Sequence, residues 1–136
     1  MKRALVATVT AAVRLRMAEG WHIYWRHPGD EVGLKTRVDW TLPSGVTAGA
    51  IQWPAPEKTT EKEFDTLTYS GTVVLLVPIA IPASHPPGPL ALKAKVRWLE
   101  CHEECVPGSA SVETSISVGS TVEASTHAAE IQAARQ

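Results

Sequence analysis

The chain has 136 residues, with 13 Lys and Arg against 14 Asp and Glu and a net charge of −1. This length suits one domain with a real core, and the balanced charge excludes the basic stripe with which proteins track nucleic acid. Ten prolines, nine glycines and five tryptophans favour an all-β domain with many turns. No segment reaches the roughly 18 apolar residues of a membrane-spanning helix, so none is predicted.

The N-terminus has two interpretations. MKR followed by ALVATVTAAV has the basic start and short apolar run of a signal peptide. However, it lacks an A-x-A cleavage site, and Arg14 and Arg16 alternate with apolar residues, which is typical of a half-buried strand. We therefore predict a strand from Ala12 to Met17 and keep the signal peptide as the alternative.

Strand-like segments recur along the rest of the chain, each alternating in polarity or rich in β-branched and aromatic residues. The predicted strands are 22–26, 36–42, 72–77, 90–98 and 110–118. Pro78 and Pro82 predict that the third of these frays toward an edge or a bend. Short strands separated by Pro and Gly turns suggest a β-sandwich.

The end of the chain differs in composition. The segment STHAAEIQAARQ is rich in alanine and other helix formers, and Ser125 or Thr126 is available as an N-cap. We predict a domain over residues 1–120, followed by a helical tail or linker over residues 121–136.

Cys101 and Cys105 are the only cysteines of the chain. If they end two facing strands, their α-carbons could lie near the ~5.5–6 Å preferred for a disulfide. A purely structural disulfide here would stabilise the fold only slightly, because closing so short a loop constrains the unfolded chain by only ~2 kcal/mol. Glu100, Glu103 and Glu104 disfavour a buried apolar role. Closely spaced thiols at a polar turn indicate a redox pair or a metal site.

A metal site is the main alternative. Cys101, His102 and Cys105 offer two thiolates and an imidazole suited to copper or zinc, and the fold could bring His22 or His27 near as a further ligand. However, a second ligand pair at the usual spacing is missing. The three neighbouring carboxylates should raise the pKa of both thiols and suppress thiolate. The residues alone therefore favour a guarded electron relay over a thioredoxin-like site.

Four blocks of sequence together carry a family resemblance: GWHIYWRHPGDEVGL, IQWPAPE, YSGTVVLLVPI and WLECHEECVPGSA. From about Ala12 onward, the chain resembles the N-terminal periplasmic domain of DsbD-type membrane thiol:disulfide interchange proteins, including the copper-sensitivity-suppressor branch. The resemblance implies an immunoglobulin-like β-sandwich in the periplasm. Relatives also carry a secretion signal and a longer N-terminal region, so we expect either a fragment or a replaced early strand.

The resemblance also implies partners and chemistry. A membrane-embedded redox domain would supply electrons, and thioredoxin-like or disulfide-isomerase-type proteins would accept them, in processes such as cytochrome c biogenesis and copper tolerance. The chain would be a protein-disulfide reductase domain with no cofactor other than its redox-active disulfide. It would meet a membrane only through a parent protein or a partner.

Site residues follow from the same resemblance. Cys101 and Cys105 match the redox pair, with Cys105 attacking the acceptor disulfide. Phe64 is the candidate aromatic residue of a cap loop that shields the pair, and Tyr69 is expected nearby. Apart from the resemblance, Trp21, Trp25 and Trp40 are expected to fill the core, because large aromatic rings dominate burial in such domains.

Overall fold

The computed structural model describes residues 6–29, 35–61 and 64–118, together with Ile131. The described residues form nine strands: β1 (Val6–Arg16), β2 (His22–Gly29), β3 (Arg37–Thr41), β4 (Thr47–Ala48), β5 (Glu57–Glu61), β6 (Phe64–Ser70), β7 (Thr72–Pro82), β8 (Gly88–Cys101) and β9 (Cys105–Val118). The predicted tail lies outside the described residues except for Ile131, whose backbone is helical.

The strands form two antiparallel sheets. One has the order β1-β7-β4, and the other has the order β3-β8-β2-β6-β5, with β9 paired to β8. The sheets pack face to face as an immunoglobulin-like β-sandwich, which confirms the predicted fold class. β8 borders β9 along its whole length, β3 at Lys93 to Arg97, and β2 at Cys101.

The core lies between the sheets and is built by alternation. Successive strand residues point to opposite faces, and every second residue of β7 from Val73 to Ile81 is buried. Toward the site end, Leu75 packs with Leu15, Ile23 and Val96. Toward the other end, a second cluster joins β7 to β8: Val46, Val77, Ile79, Ile81, Leu90 and Leu92.

The N-terminal segment is a strand from Val6 to Arg16, paired with β7 at every position. β7 continues past Pro78 to Pro82, so the prediction that it frays near Pro78 is wrong. Pro78 has no N–H to donate, but its carbonyl accepts a hydrogen bond of 2.8 Å from Gly49 N–H, so pairing with the edge of the sheet continues.

The β5–β6 hairpin was not among the predicted strands. Its sequence, EKTTEKEFDTLTYS, is strongly charged, and its strand signal is confined to threonines and two aromatic residues, so it resembles a loop. Glu57 to Glu61 nevertheless pairs with Phe64 to Thr68. Pairing of β6 with β2 stabilises the hairpin, although its own sequence has little strand propensity.

The β8–β9 hairpin carries both cysteines. Its pairing is continuous from Gly88 opposite Val118 to Cys101 opposite Cys105. Near its end, Trp98 faces Gly108, and a Cβ atom on Gly108 would overlap the indole ring of Trp98. The indole therefore covers the glycine backbone, an arrangement that stabilises glycine in strands.

Gly108→Ala should lower the free energy of unfolding by about 1–3 kcal/mol, because the indole of Trp98 must move away from the new methyl group. The measurement is urea denaturation of the oxidised protein. Ser109→Ala, at the neighbouring exposed position, is the matched control and should change stability by less than about 0.5 kcal/mol. Equal stability of both variants would contradict this packing.

Candidate functional site

A disulfide joins Cys101 and Cys105 across the end of the β8–β9 hairpin. His102 N–H donates a 3.0 Å hydrogen bond to the carbonyl of Glu104, so the next pair, the two cysteines, takes a non-hydrogen-bonded position. Facing α-carbons at such positions lie about 4.5 Å apart. The observed 4.1 Å is therefore shorter than the spacing predicted from sequence.

The two cysteines differ in exposure. Cys101 is 2% exposed, whereas Cys105 is exposed at the start of the edge strand β9. A thiol:disulfide exchange requires an incoming thiolate to reach one sulfur atom along the S–S axis. Of this pair, Cys105 is the exposed residue and Cys101 the shielded one.

Strand pairing places two more residues beside the disulfide. Cys105 faces Cys101, Cys101 faces His22 on β2, and His22 faces Ser70 at the end of β6. We call these four residues the cross-strand row. Facing residues of an antiparallel pair project to the same side of the sheet with Cβ atoms about 4.5–5.5 Å apart, so His22 is the side-chain neighbour of Cys101 on the β2 side.

The β1–β2 turn supports the tip of the cysteine hairpin. The Nδ1 atom of His102 lies 2.9 Å from the carbonyl oxygen of Gly20, which can only accept, so Nδ1 carries the proton. The ring of His102 packs against that of Trp21, with centroids 5.7 Å apart. Gly20 has a φ of 86°, and a Cβ atom there would lie 3.1 Å from the His102 ring.

Trp21 therefore packs at the site, and the prediction that it fills the core is wrong. Trp21 is half-buried against His102, because the β1–β2 turn directs its side chain toward the tip of the β8–β9 hairpin. Trp40 does pack against the core, as predicted. The side chain of Trp25 lies outside the described part of the chain.

Carboxylates surround this end of the domain. Glu103 and Glu104 are exposed within the hairpin tip, and Glu100 is half-buried just before Cys101. Across the row, Glu57 accepts hydrogen bonds of 3.2 and 3.3 Å from the Ser70 hydroxyl. The site is thus acidic, as the sequence indicated.

An open cleft of about 560 Å³ lies on the β6 side of His22. Its walls come from the β1–β2 turn, from β5 and from the β6–β7 turn, and include Trp21, His22, Glu57 and Ser70. The cleft therefore borders the cross-strand row at the end opposite to Cys105.

Phe64 and Tyr69 occupy opposite ends of β6. Tyr69 is buried in the core beside Ile23, and its hydroxyl donates a 2.7 Å hydrogen bond to the carbonyl of Pro54. Phe64 pairs with Glu61 at the turn of the β5–β6 hairpin, and its side chain lies outside the described part of the structure. About 20 Å of extended chain separates Phe64 from Ser70, so the cap role of both residues stays a prediction.

Within residues 6–29, 35–61 and 64–118, no group of three or more His, Cys, Asp or Glu side chains is arranged to hold a metal ion. Both sulfur atoms are bonded to each other in this state. The structure thus assigns no metal ligands among these residues.

Sequence reasoning considered His22 only as a further metal ligand and did not consider Gly20, yet both residues lie at the site. Gly20, Trp21 and His22 are contiguous, and all three contact the hairpin. Their position at the start of a predicted strand was the available signal, but which strand they would border depends on long-range pairing.

In the described residues, no helix has the length and hydropathy needed to span a bilayer.

Comparison with known proteins places the fold and the family of this chain. No curated protein matches the chain. The N-terminal periplasmic domain of ScsB from Proteus mirabilis shares its fold, with a TM-score of 0.59, 23% identity and coverage of 81% of this chain. This chain spans 45% of that one.

A second solved structure is the reduced DsbD N-terminal domain from Neisseria meningitidis, with a TM-score of 0.44 and 18% identity over 79% of this chain and 75% of that one. The family model described as thiol:disulfide interchange protein DsbD, N-terminal, matches residues 3–116. That match covers most of the chain, including both cysteines. The chain therefore belongs to the family of DsbD N-terminal domains.

Proposed function

We propose that this domain is a periplasmic thiol:disulfide carrier that receives electrons from a membrane-embedded redox domain and reduces acceptor disulfides through Cys101 and Cys105. The observation that carries the proposal is the disulfide between one buried and one exposed cysteine at the tip of an edge hairpin. The acceptors would be thioredoxin-like or disulfide-isomerase-type proteins, as the family resemblance implies.

The proposed reaction has two exchange steps. In the reduced domain, the Cys105 thiolate attacks an acceptor disulfide, which forms a mixed disulfide and releases one acceptor thiolate. The Cys101 thiol then loses its proton, and its sulfur attacks the Cys105 sulfur. This forms the internal disulfide and releases the second acceptor thiolate, so that two electrons pass to the acceptor. The donor domain reverses these steps.

The position of the pair suits this cycle. The α-carbons are already 4.1 Å apart and are held by the last pairing of a long hairpin. Cys101 therefore needs little backbone movement to reach Cys105 in a mixed disulfide. Its burial limits reaction of Cys101 with other partners, so that its main target is the neighbouring sulfur.

The roles of the two cysteines can be separated with oxidised glutathione. Reduced Cys101→Ala should accumulate a lasting glutathione adduct on Cys105, because no second thiol resolves it. Reduced Cys105→Ala should form adduct much more slowly, because Cys101 is 2% exposed. Mass spectrometry of quenched samples measures both. Similar adduct formation on both variants would contradict the proposed division of labour.

The reduction potential distinguishes a carrier from a structural bond. We expect equilibrium with glutathione or thioredoxin buffers to give a value between about −180 and −270 mV, the range of redox-active proteins. Structural disulfides commonly lie below about −300 mV. A value in that lower range would sink the carrier function.

Phe64→Ala should speed reduction of the disulfide by dithiothreitol several-fold if Phe64 caps the pair, because an apolar lid excludes small thiols. The rate is measured by following free thiols after quenching. Leu67→Ala, a half-buried apolar position on the same strand, is the control for general loosening of the hairpin. The cap role fails if both variants react at the wild-type rate, or if both are accelerated equally.

A further inference from the structure

We propose that His22 is the proton acceptor for Cys101 in the step that re-forms the disulfide. The inference rests on the thiol:disulfide exchange proposed above and adds the residue that makes the buried cysteine reactive. It is carried by the pairing of His22 with Cys101, by the burial of both residues, and by the Nε2 atom of His22, which has no hydrogen-bond partner among the described residues.

Strand register brings the two side chains together. His22 begins β2 and faces Cys101, the last residue of β8. Both residues project to the same side of the sheet at neighbouring positions. On its own strand, the His22 ring packs edge-on against the ring of Tyr24 two residues along, with centroids 5.5 Å apart. This contact restricts the imidazole to the face that also carries Cys101.

The His22 ring is buried and has an unused nitrogen. His22 is 9% exposed, and its Nε2 atom is buried with no hydrogen-bond partner among the described residues. Buried polar atoms are nearly always hydrogen-bonded, so such an exception calls for an explanation. In the oxidised domain neither sulfur bears a proton. Reduction places an S–H group on Cys101, the residue that faces His22 across the two strands.

Cys101 has a specific need for a base. The thiolate is the nucleophile in disulfide exchange, and Cys101 is buried and followed by Glu103 and Glu104 at the hairpin tip. Burial and negative neighbours both disfavour a thiolate. A neutral imidazole can take the proton through the nitrogen that carries none.

The step balances as follows. With Cys105 in a mixed disulfide, the Cys101 proton moves to Nε2 of His22, and the sulfur electron pair attacks Cys105. The bond between Cys105 and the acceptor breaks, and the acceptor leaves as a thiolate. His22 is then an imidazolium, which returns its proton to the departing thiolate or to water. In the reverse direction, the imidazolium protonates Cys101 as it leaves.

Other titratable groups lie near His22 and contribute to any pH profile. Glu19 and Glu57 line the same cleft, and Glu100 precedes Cys101 on β8. The hairpin tip adds His102, Glu103 and Glu104. These groups are shared by wild type and by His22 variants, so a difference between their profiles reports on His22.

The test uses dithiobisnitrobenzoate, whose two thiolates are released in separate steps. Attack by Cys105 releases the first at a rate proportional to reagent concentration, and attack by Cys101 releases the second at a rate independent of it. Stopped-flow absorbance follows both steps from pH 6 to pH 10. Cys101→Ala, which should give only the first release, fixes the baseline.

His22→Phe should leave the first step within about twofold of wild type and slow the second about tenfold or more near pH 7. The loss should shrink as pH rises, because hydroxide then removes the Cys101 proton. His22→Gln, which hydrogen-bonds but does not take up a proton at these pH values, should show the same loss. His85→Gln, a half-buried histidine on the β7–β8 turn, is the matched control with wild-type rates.

Two results overturn the inference. One is a second step in His22→Phe or His22→Gln with the rate and pH profile of wild type. The other is a loss produced by His102→Gln in place of the His22 variants, which would assign the proton to the loop histidine. Failure of the carrier function itself gives a different result, because wild type would then have a reduction potential in the structural range while releasing both thiolates.

Discussion

The continuous register of the β8–β9 hairpin is the constraint on which the site depends. It runs from Gly88 opposite Val118 to Cys101 opposite Cys105, and the alternation of β8 fixes which face is buried. A slip of one residue would expose every core residue of β8. It would also remove the cysteines from facing positions. The hydrophobic core and the disulfide therefore select the same register.

A second strand connection gives the hairpin tip its surroundings. Among the described residues, β2 pairs with β8 only at His22 and Cys101. The turn before β2 places Gly20 and Trp21 against His102. The sulfur pair thus has a supported side toward β2 and an open side at Cys105. This asymmetry separates the sulfur that partners can reach from the sulfur that stays within the domain.

Much of the fold followed from alternation in the sequence. Leu90 to Trp98 and Ala110 to Val118 predicted β8 and β9 because one face of each strand is regular in polarity. The location of the cysteines between them allowed a disulfide at a strand-to-strand turn but left a metal site as the alternative. The assignment as an immunoglobulin-like fold of one family came from the resemblance of four sequence blocks and could not be obtained from periodicity.

What the sequence left undetermined depends on contacts between distant segments. The pairing of His22 with Cys101 joins residues far apart in the chain, and no local pattern specifies it. The sequence does not show that the ring of Tyr69 packs beside Ile23, nor that its hydroxyl donates a hydrogen bond to the carbonyl of Pro54. The β5–β6 hairpin was not predicted because its charged sequence has little strand propensity of its own. Pairing with β2 stabilises it, and that pairing is not apparent in the local sequence.

The position of the disulfide at the extreme end of its hairpin separates redox chemistry from folding. The bond closes only the short ring from Cys101 to Cys105, while thirteen further residue pairs hold β8 and β9 together without it. Opening so small a ring returns little conformational entropy to the unfolded chain. The oxidised and reduced domains can therefore share one scaffold, because the strands that position the sulfur pair do not depend on the bond between the two sulfur atoms.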